Sequence, residues 1–84
     1  MKILYTPQAT KEFLKLDKPV QKKIKAYMEE VSQLENPTVR GKALVGNLSG
    51  LWRYRVMDYR ILCRIEDDKL IITVVSVGHR KEIY

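Results

Sequence analysis

The sequence predicts an α+β domain with the element order βααβββ, in which a helix hairpin packs on one face of a small, mainly antiparallel sheet. Three observations support this fold class. Apolar residues recur at helical spacing up to residue 34, and apolar and polar residues alternate from residue 51 to residue 65. Residues 69–77 are nearly all apolar and β-branched, as in a strand inside a sheet. A chain of 84 residues has room for one domain, and we assign residues 1–84 to it.

The first part of the chain reads as a short strand followed by two helices. Lys2–Thr6 is the predicted strand, and Thr6 and Pro7 then supply a helix N-cap and a first helical position. Asp17–Pro19 breaks this helix, and the second helix begins there with Asp17 or Lys18 as its cap. Asn36-Pro37 ends it, because a residue before proline is pushed out of the helical region. The apolar stripe of the second helix consists of Val20, Ile24, Tyr27, Met28, Val31 and Leu34.

Three strands are predicted after a glycine-containing connection over residues 38–50. Met57-Asp58 is the predicted turn between the first two of them, and Asp67-Asp68 is the turn before the last. Gly78 is predicted to end the last strand. Together with the N-terminal strand, these three form the sheet that the helix hairpin covers.

Strand alternation separates the two faces of this sheet. The residues that face the helix stripe are Trp52, Tyr54, Val56, Tyr59, Ile61 and Cys63. The opposite face, which we call the arginine face, carries Arg53, Arg55, Arg60 and Arg64. A two-residue loop at Met57-Asp58 places Arg55 directly opposite Arg60. Because like charges at such positions are destabilising, we expect an anion to bind there.

The acidic residues nearest the arginine face offer an alternative to a bound anion. They are Asp58, Glu66, Asp67 and Asp68. These residues lie at turns and strand ends, not on the strand face between the arginines. A phosphate-binding face is therefore favoured over a face that is only solvated.

The charge of the chain favours a polyanionic partner, and nucleic acid above all. Lys and Arg number 16 and Asp and Glu number 10, which leaves a net charge of +6. Every Arg lies after residue 36, so the second half of the chain carries the planar guanidinium groups that match phosphate. Composition by itself leaves open a basic surface that is merely solvated.

Composition also excludes several classes of protein. One Cys and one His rule out a disulfide framework and a Cys/His zinc site, and we expect neither a metal nor any other cofactor. The scattered acidic residues do not form the carboxylate pair of acid–base or two-metal enzymes. Because the chain has no run of ~18 apolar residues and no signal-peptide pattern, we expect a cytoplasmic protein that does not bind membranes.

Three further residues are interpreted individually. Cys63 and Trp52 share the phase of the helix-facing positions, so we interpret both as core residues. His79 lies beside Arg80, just past the predicted end of the last strand. It is a candidate acid or base, because imidazole is the side chain that titrates nearest to neutral pH.

Four segments of the chain follow one another in a specific order and spacing. They are GKAL at Gly41–Leu44, GNLSGLWRYRV at Gly46–Val56, DYRI at Asp58–Ile61 and VGHRKEIY at Val77–Tyr84. In these segments the sequence resembles the RelE/ParE superfamily of toxins from bacterial and archaeal toxin–antitoxin systems, and the RelE-like branch in particular. The resemblance covers essentially the whole chain.

The resemblance implies a RelE-like fold and the activity of an mRNA interferase. Such an enzyme enters the A site of the 70S ribosome and cuts the bound codon by attack of the ribose 2′-OH on the adjacent phosphate, without a metal. The resemblance also implies a RelB-like cognate antitoxin as a partner. Operator DNA would be bound only through the complex with that antitoxin.

The resemblance further implies roles for individual residues. Arg60 and Arg80 would hold the scissile phosphate and stabilise its developing charge. Arg53 and Arg55 would clamp flanking phosphates or ribosomal RNA. Tyr84 would stack on a base of the codon or orient it.

The resemblance does not directly assign a residue of this chain as the general base of the cleavage reaction. The best-studied members of the family carry Lys on the second strand, where this chain has Arg55, and a guanidinium does not give up its proton. His79 is therefore our candidate acid or base, with Tyr84 as a rival. The expected catalytic set consists of Arg55, Arg60, His79, Arg80 and Tyr84. Arg64 and Lys81 complete the expected set of RNA- and ribosome-binding residues.

Two other functions stay open from the sequence. One is a ParE-like inhibitor of DNA gyrase, which shares the fold but lacks the basic catalytic set. The other is a module that binds RNA or an antitoxin without catalysis. Convergence of Arg53, Arg55, Arg60, Arg80 and Tyr84 on one patch would favour the interferase.

Overall fold

The structure is a computed structural model that describes residues 1–79. Its helices are α1 (Pro7–Leu14) and α2 (Lys18–Gln33). Its strands are β1 (Lys2–Tyr5), β2 (Lys42–Ala43), β3 (Trp52–Val56), β4 (Tyr59–Glu66) and β5 (Ile71–His79). They form one sheet in the order β1-β5-β4-β3-β2, in which β1 is parallel to β5 and the other neighbours are antiparallel. The predicted α+β class and the helix hairpin are confirmed.

The helix boundaries follow from local chemistry. Thr6 is the N-cap of α1, and its Oγ1 accepts a hydrogen bond from the Ala9 backbone N–H at 3.1 Å. The predicted first strand ends one residue early, at Tyr5, because Thr6 takes this capping role. Asp17 is the N-cap of α2, although its side chain makes no capping hydrogen bond. Gln21 then links the helices, since its Nε2 donates to Leu16 O at 2.7 Å.

The core lies between α2 and the helix-facing side of the sheet. From α2, the side chains of Ile24, Met28 and Val31 are fully buried. They meet strand residues that include Tyr54 and Ile61, in agreement with the predicted partition of the sheet faces. None of the helices within residues 1–79 is long and apolar enough to cross a membrane.

Two strand predictions are wrong. The sequence predicts four strands, whereas the described chain has a fifth, β2, of two residues, which is too short to show alternation. Gly78 does not end the last strand, because Gly78 pairs with Arg60 and the ladder continues to His79 opposite Tyr59. The strand can continue because β4 still offers it backbone partners at both positions.

Candidate nucleic-acid interface

The β3–β4 hairpin builds the arginine face. Met57 adopts a left-handed conformation (φ 54°) at the turn, and the ladder pairs Val56 with Tyr59 and Arg55 with Arg60. This is the predicted register. Arg53, two residues before Arg55, therefore lies on the same face. Four arginines share this face, as predicted: Arg53, Arg55, Arg60 and Arg64.

Leu62 lies in the middle of the arginine face and yet is only 4% exposed. It pairs with Arg53 across the ladder, and Arg60 and Arg64 flank it on its own strand. Long arginine side chains can cover apolar surface with their methylene groups while their charged ends stay outside. Strand alternation alone marks Leu62 as an exposed position. Its flanking arginines can therefore contribute to the burial of Leu62.

The face extends beyond the hairpin onto β2. Lys42 pairs with Arg53 in the β2–β3 ladder, so it adds a further cation to this side of the sheet. A cavity of about 310 Å³ adjoins this pair, and its lining is Tyr27, Gly41, Lys42, Arg53 and Arg55. Sequence reasoning missed Lys42 because a strand of two residues has no recognisable period.

Four of the cations on this side of the sheet take no part in the ion pairs within residues 1–79. The salt bridges within residues 1–79 are Arg40–Glu30 at 2.6 Å and Lys69–Glu66 at 3.2 Å, and neither includes Lys42 or an arginine of the arginine face. Lys42, Arg53, Arg55 and Arg64 therefore have no ion-pair partner in that part of the chain. The hydrogen bond with Glu30 raises the pKa of Arg40, which also lies over the ring of Tyr27 at 5.5 Å. Of the acids at the turns, Glu66 pairs with Lys69, and none forms an ion pair with Arg53, Arg55 or Arg64 within residues 1–79.

His79 does not lie on the arginine face. It pairs with Tyr59 at the end of the β4–β5 ladder, and the two rings meet edge to face with centroids 5.5 Å apart. Directly opposed side chains of an antiparallel pair share a face, so His79 lies on the side of Tyr59, toward the helices. A cleft of about 630 Å³ opens there, lined in part by Glu12, Leu16 and His79. The sheet thus separates His79 from the face of Arg55 and Arg60.

Three of the predicted site residues lie outside the described part of the chain: Arg80, Lys81 and Tyr84. Their placement stays a prediction, as does the convergence of Arg80 and Tyr84 with the other arginines. Within residues 1–79, no group of three or more His, Cys, Asp or Glu side chains is arranged to hold a metal ion.

Glu12 supports the strand end that carries His79, a role that sequence reasoning did not assign. The last residue of β5 with a partner in β1 is Val74, and β5 continues five residues further. Beyond that point the Glu12 carboxylate accepts hydrogen bonds from the Val77 N–H and the Ser76 hydroxyl, both at 3.0 Å. A side chain of α1 thereby takes over part of the pairing that β1 no longer provides.

The Cys63 thiol and the Tyr54 hydroxyl are buried, and burial keeps both groups protonated. Burial raises the pKa of the Cys63 thiol, which is fully enclosed, and that of the Tyr54 hydroxyl. The Tyr54 hydroxyl also donates to Pro37 O at 2.8 Å. Trp52 packs against the core and donates from Nε1 to Arg40 O at 2.7 Å. The predicted core positions of Cys63 and Trp52 are confirmed.

Comparison with known proteins identifies the family. A family model described as the ParE toxin of the type II toxin–antitoxin system, parDE, matches residues 3–84. The chain belongs to the RelE/ParE family of type II toxins. This RelE/ParE toxin is also 30% identical over 84 residues to the mRNA interferase toxin RelE of Escherichia coli (strain K12). That match spans 95% of this chain and 85% of its relative.

Solved structures share the fold of this toxin. A chain of the toxin–antitoxin complex RelBE2 from Mycobacterium tuberculosis superposes with a TM-score of 0.85 at 26% identity, over 96% of this chain and 92% of the other. A double mutant of the E. coli toxin RelE in the free state gives a TM-score of 0.78 at 26% identity, over 98% and 85%. The expected RelE-like fold is confirmed.

Proposed function

We propose that this RelE/ParE toxin is a ribosome-dependent mRNA endoribonuclease that cuts codons in the A site and so inhibits translation. The observation that carries the proposal is the cross-strand pair of Arg55 and Arg60, with Arg53 beside it on the same face. Such a face fits a phosphodiester backbone, which offers closely spaced negative charge. The 30% identity to a protein named as an mRNA interferase supports the same function.

In the proposed reaction the ribose 2′-oxygen attacks the adjacent phosphorus, and the bond from phosphorus to the 5′-oxygen breaks. The products are a 2′,3′-cyclic phosphate and a 5′-hydroxyl, so one proton leaves the 2′-oxygen and one reaches the departing 5′-oxygen. Arg60 and Arg80 hold the phosphate and stabilise the charge that develops on it, with Arg55 assisting. Tyr84 moves one of the protons in this proposal, because the sheet separates His79, the candidate that the sequence favours, from Arg55 and Arg60.

The remaining basic residues bind RNA in this proposal. Arg53 and Arg64 contact flanking phosphates or ribosomal RNA, and Lys81 extends this set. Tyr84 stacks on a base of the codon or orients it. Phosphate contacts of this kind position the RNA, and base contacts would add any preference among codons.

A RelB-like antitoxin is the proposed protein partner in the cytoplasm, and operator DNA is bound only through that complex. Relatives with this fold have been solved as complexes of toxin and antitoxin, such as RelBE2 from M. tuberculosis, which supports such a partner.

Primer extension on translated mRNA after brief expression of the toxin tests the proposed activity. We expect stops at codons occupied by ribosomes. With purified toxin on programmed ribosomes, Arg60→Ala should slow single-turnover cleavage by about 100-fold or more, the loss that follows removal of one charge-stabilising donor. Lys22→Ala, on the exposed side of α2, is the control and should cut at the normal rate.

Inhibition of DNA gyrase is the second candidate function, because the matching family model is that of the ParE toxin. Poisoning of gyrase in a supercoiling assay, without translation arrest, would replace the interferase by this function. A third outcome is toxicity that survives Arg60→Ala combined with Arg80→Ala. That result would favour binding without catalysis.

A further inference from the structure

The segment that precedes β3 is held against it by contacts that leave little freedom at residues 40–42. Gly41 has a φ of +80°, and a Cβ placed there would collide with Arg53 O and Trp52 Nε1. Trp52 Nε1 donates to Arg40 O, one residue earlier. This close approach places Lys42 opposite Arg53 in the β2–β3 ladder. The position of Lys42 is therefore built into the fold.

The Lys42–Arg53 pair repeats the arrangement of the Arg55–Arg60 pair. Both pairs set one cation directly against another, and they lie two residues apart along β3. Glu30, the carboxylate that binds Arg40, is already engaged at 2.6 Å. No carboxylate in residues 1–79 forms an ion pair with Lys42, Arg53 or Arg55. The Lys42–Arg53 pair is therefore unfavourable until an anion binds.

Arg53 gives a second, independent indication of a ligand. Its Nε is shielded from solvent and has no hydrogen-bond acceptor in residues 1–79. The Arg53 side chain also lines the adjoining cavity, so its guanidinium can bind an anion that enters there. The cavity of about 310 Å³ beside it reaches from Lys42 to Tyr27 of α2 and leaves room for one.

Positions two residues apart on one strand are about 6.8 Å apart, since an antiparallel strand rises ~3.4 Å per residue. Neighbouring phosphates of an extended single strand of RNA are separated by a comparable distance. A single phosphate ion would occupy one of the two cation pairs, whereas a nucleotide chain can occupy both at once.

We propose that Lys42 and Arg53 form a second phosphate subsite, which binds the phosphodiester next to the one held at Arg55 and Arg60. The ligand is single-stranded RNA that crosses β2, β3 and β4 over the arginine face. This inference rests on the proposed function, because it assigns the scissile phosphate to the Arg55–Arg60 pair. It adds Lys42 to the RNA-binding residues. It also places the second phosphate toward β2, relative to the phosphate at Arg55 and Arg60.

The test compares Lys42→Ala with Lys22→Ala, which removes the same charge from the exposed side of α2. Binding to ribosomes programmed with mRNA, and to a single-stranded RNA oligonucleotide, is measured over a range of KCl concentrations. We expect Lys42→Ala to weaken binding by about 5- to 10-fold and to reduce the slope of log affinity against log salt by about 0.7 to 1, as for one lost phosphate contact. Lys22→Ala should change neither quantity.

The outcomes separate the subsite from the proposed activity. The subsite is overturned if the two variants bind RNA equally well. It is also overturned if the unmodified protein binds neither the programmed ribosomes nor the RNA oligonucleotide. Both conclusions hold whether or not mRNA is cut. Binding that depends on Lys42, in a protein that leaves the mRNA uncut, supports the subsite and removes the endoribonuclease. If Lys42→Ala lowers the saturated cleavage rate more than the affinity, the subsite is overturned, because Lys42 then acts on the reaction itself.

Discussion

Arg55 and Arg60 lie directly opposite each other in the β3–β4 ladder, so two guanidinium groups occupy one cross-strand position. Like charges in this arrangement destabilise a sheet by roughly 0.2–1 kcal/mol. The hairpin keeps the pair because its register is set by the turn at Met57-Asp58 and by the apolar residues on the other face. The two positive charges therefore lower the stability of the folded protein, while the same two charges favour the binding of an anion.

Removal of one charge from this pair should stabilise the protein. We expect Arg55→Gln to raise the free energy of unfolding by a few tenths of a kcal/mol and at most about 1 kcal/mol at low salt, and by less at high salt. Urea denaturation followed by the fluorescence of Trp52 measures this change. Arg64→Gln is the control, since Arg64 pairs with Thr73 on β5. An equal gain in both variants would contradict the expected repulsion.

Gly41 should tolerate substitution less well than Gly46. Both have a positive φ, which costs an L-residue ~1–2 kcal/mol, but a Cβ at Gly46 meets nothing within 4 Å. At Gly41 the Cβ would collide with Arg53 O and Trp52 Nε1 as well. We expect Gly41→Ala to cost at least about 2 kcal/mol and Gly46→Ala about 1 kcal/mol in urea denaturation. Equal costs would show that β2 is not held against β3 as described.

Glu12 should hold the end of β5 through its acceptor oxygen. Glu12→Ala leaves the Val77 N–H without this acceptor, so we expect a loss of about 1–3 kcal/mol in the free energy of unfolding. Glu12→Gln keeps a carbonyl oxygen at the same place and should lose less. Hydrogen exchange of the Val77 amide is the direct measurement, and it should be faster only in the alanine variant. Unchanged exchange in Glu12→Ala would exclude the contact as a support of the strand end.

The buried thiol of Cys63 should make the folded protein less stable at alkaline pH. In the unfolded chain a thiol ionises above about pH 8.5, while burial raises the pKa of Cys63 and keeps the folded thiol protonated. Above that pH the unfolded state binds fewer protons than the folded state, so the free energy of unfolding falls as pH rises. Denaturation between pH 7 and 9.5 should show a shallower fall in Cys63→Ala. Identical pH dependence in both proteins would argue against a protected thiol.

His79 tests the proposed chemistry. Because the sheet separates His79 from Arg55 and Arg60, we expect His79→Ala to leave the saturated rate of single-turnover mRNA cleavage nearly unchanged. Binding to programmed ribosomes should persist, since His79 lies on the face opposite the arginines. Gln8→Ala, which changes an exposed residue lining the same cleft, is the matched control. A loss of ~100-fold or more would contradict this expectation and restore His79 in place of Tyr84 as the proton-transfer group.

Much of the site follows from patterns along short stretches of chain. The alternation around Arg53 and Arg55 and the two-residue turn at Met57-Asp58 together predict the Arg55–Arg60 pair, because strand period and turn length are local properties. The N-cap at Thr6 is predicted for the same reason. In contrast, the end of β5 depends on β4, which offers backbone partners to Gly78 and His79. From the sequence alone, Gly78 predicts the end of the strand.

By itself the sequence determined the α+β class, the two helices, the hairpin and the arginine face, because each depends on periodicity or turn chemistry within a few residues. Only the tertiary structure decided that Lys42 lies opposite Arg53, that Leu62 is buried among arginines, and that His79 faces the helices. These relationships join residues far apart in the chain, through the approach of Gly41 to β3 and of Glu12 to β5. They depend on packing and on ladder register, and a pattern within a short stretch of sequence predicts neither of these.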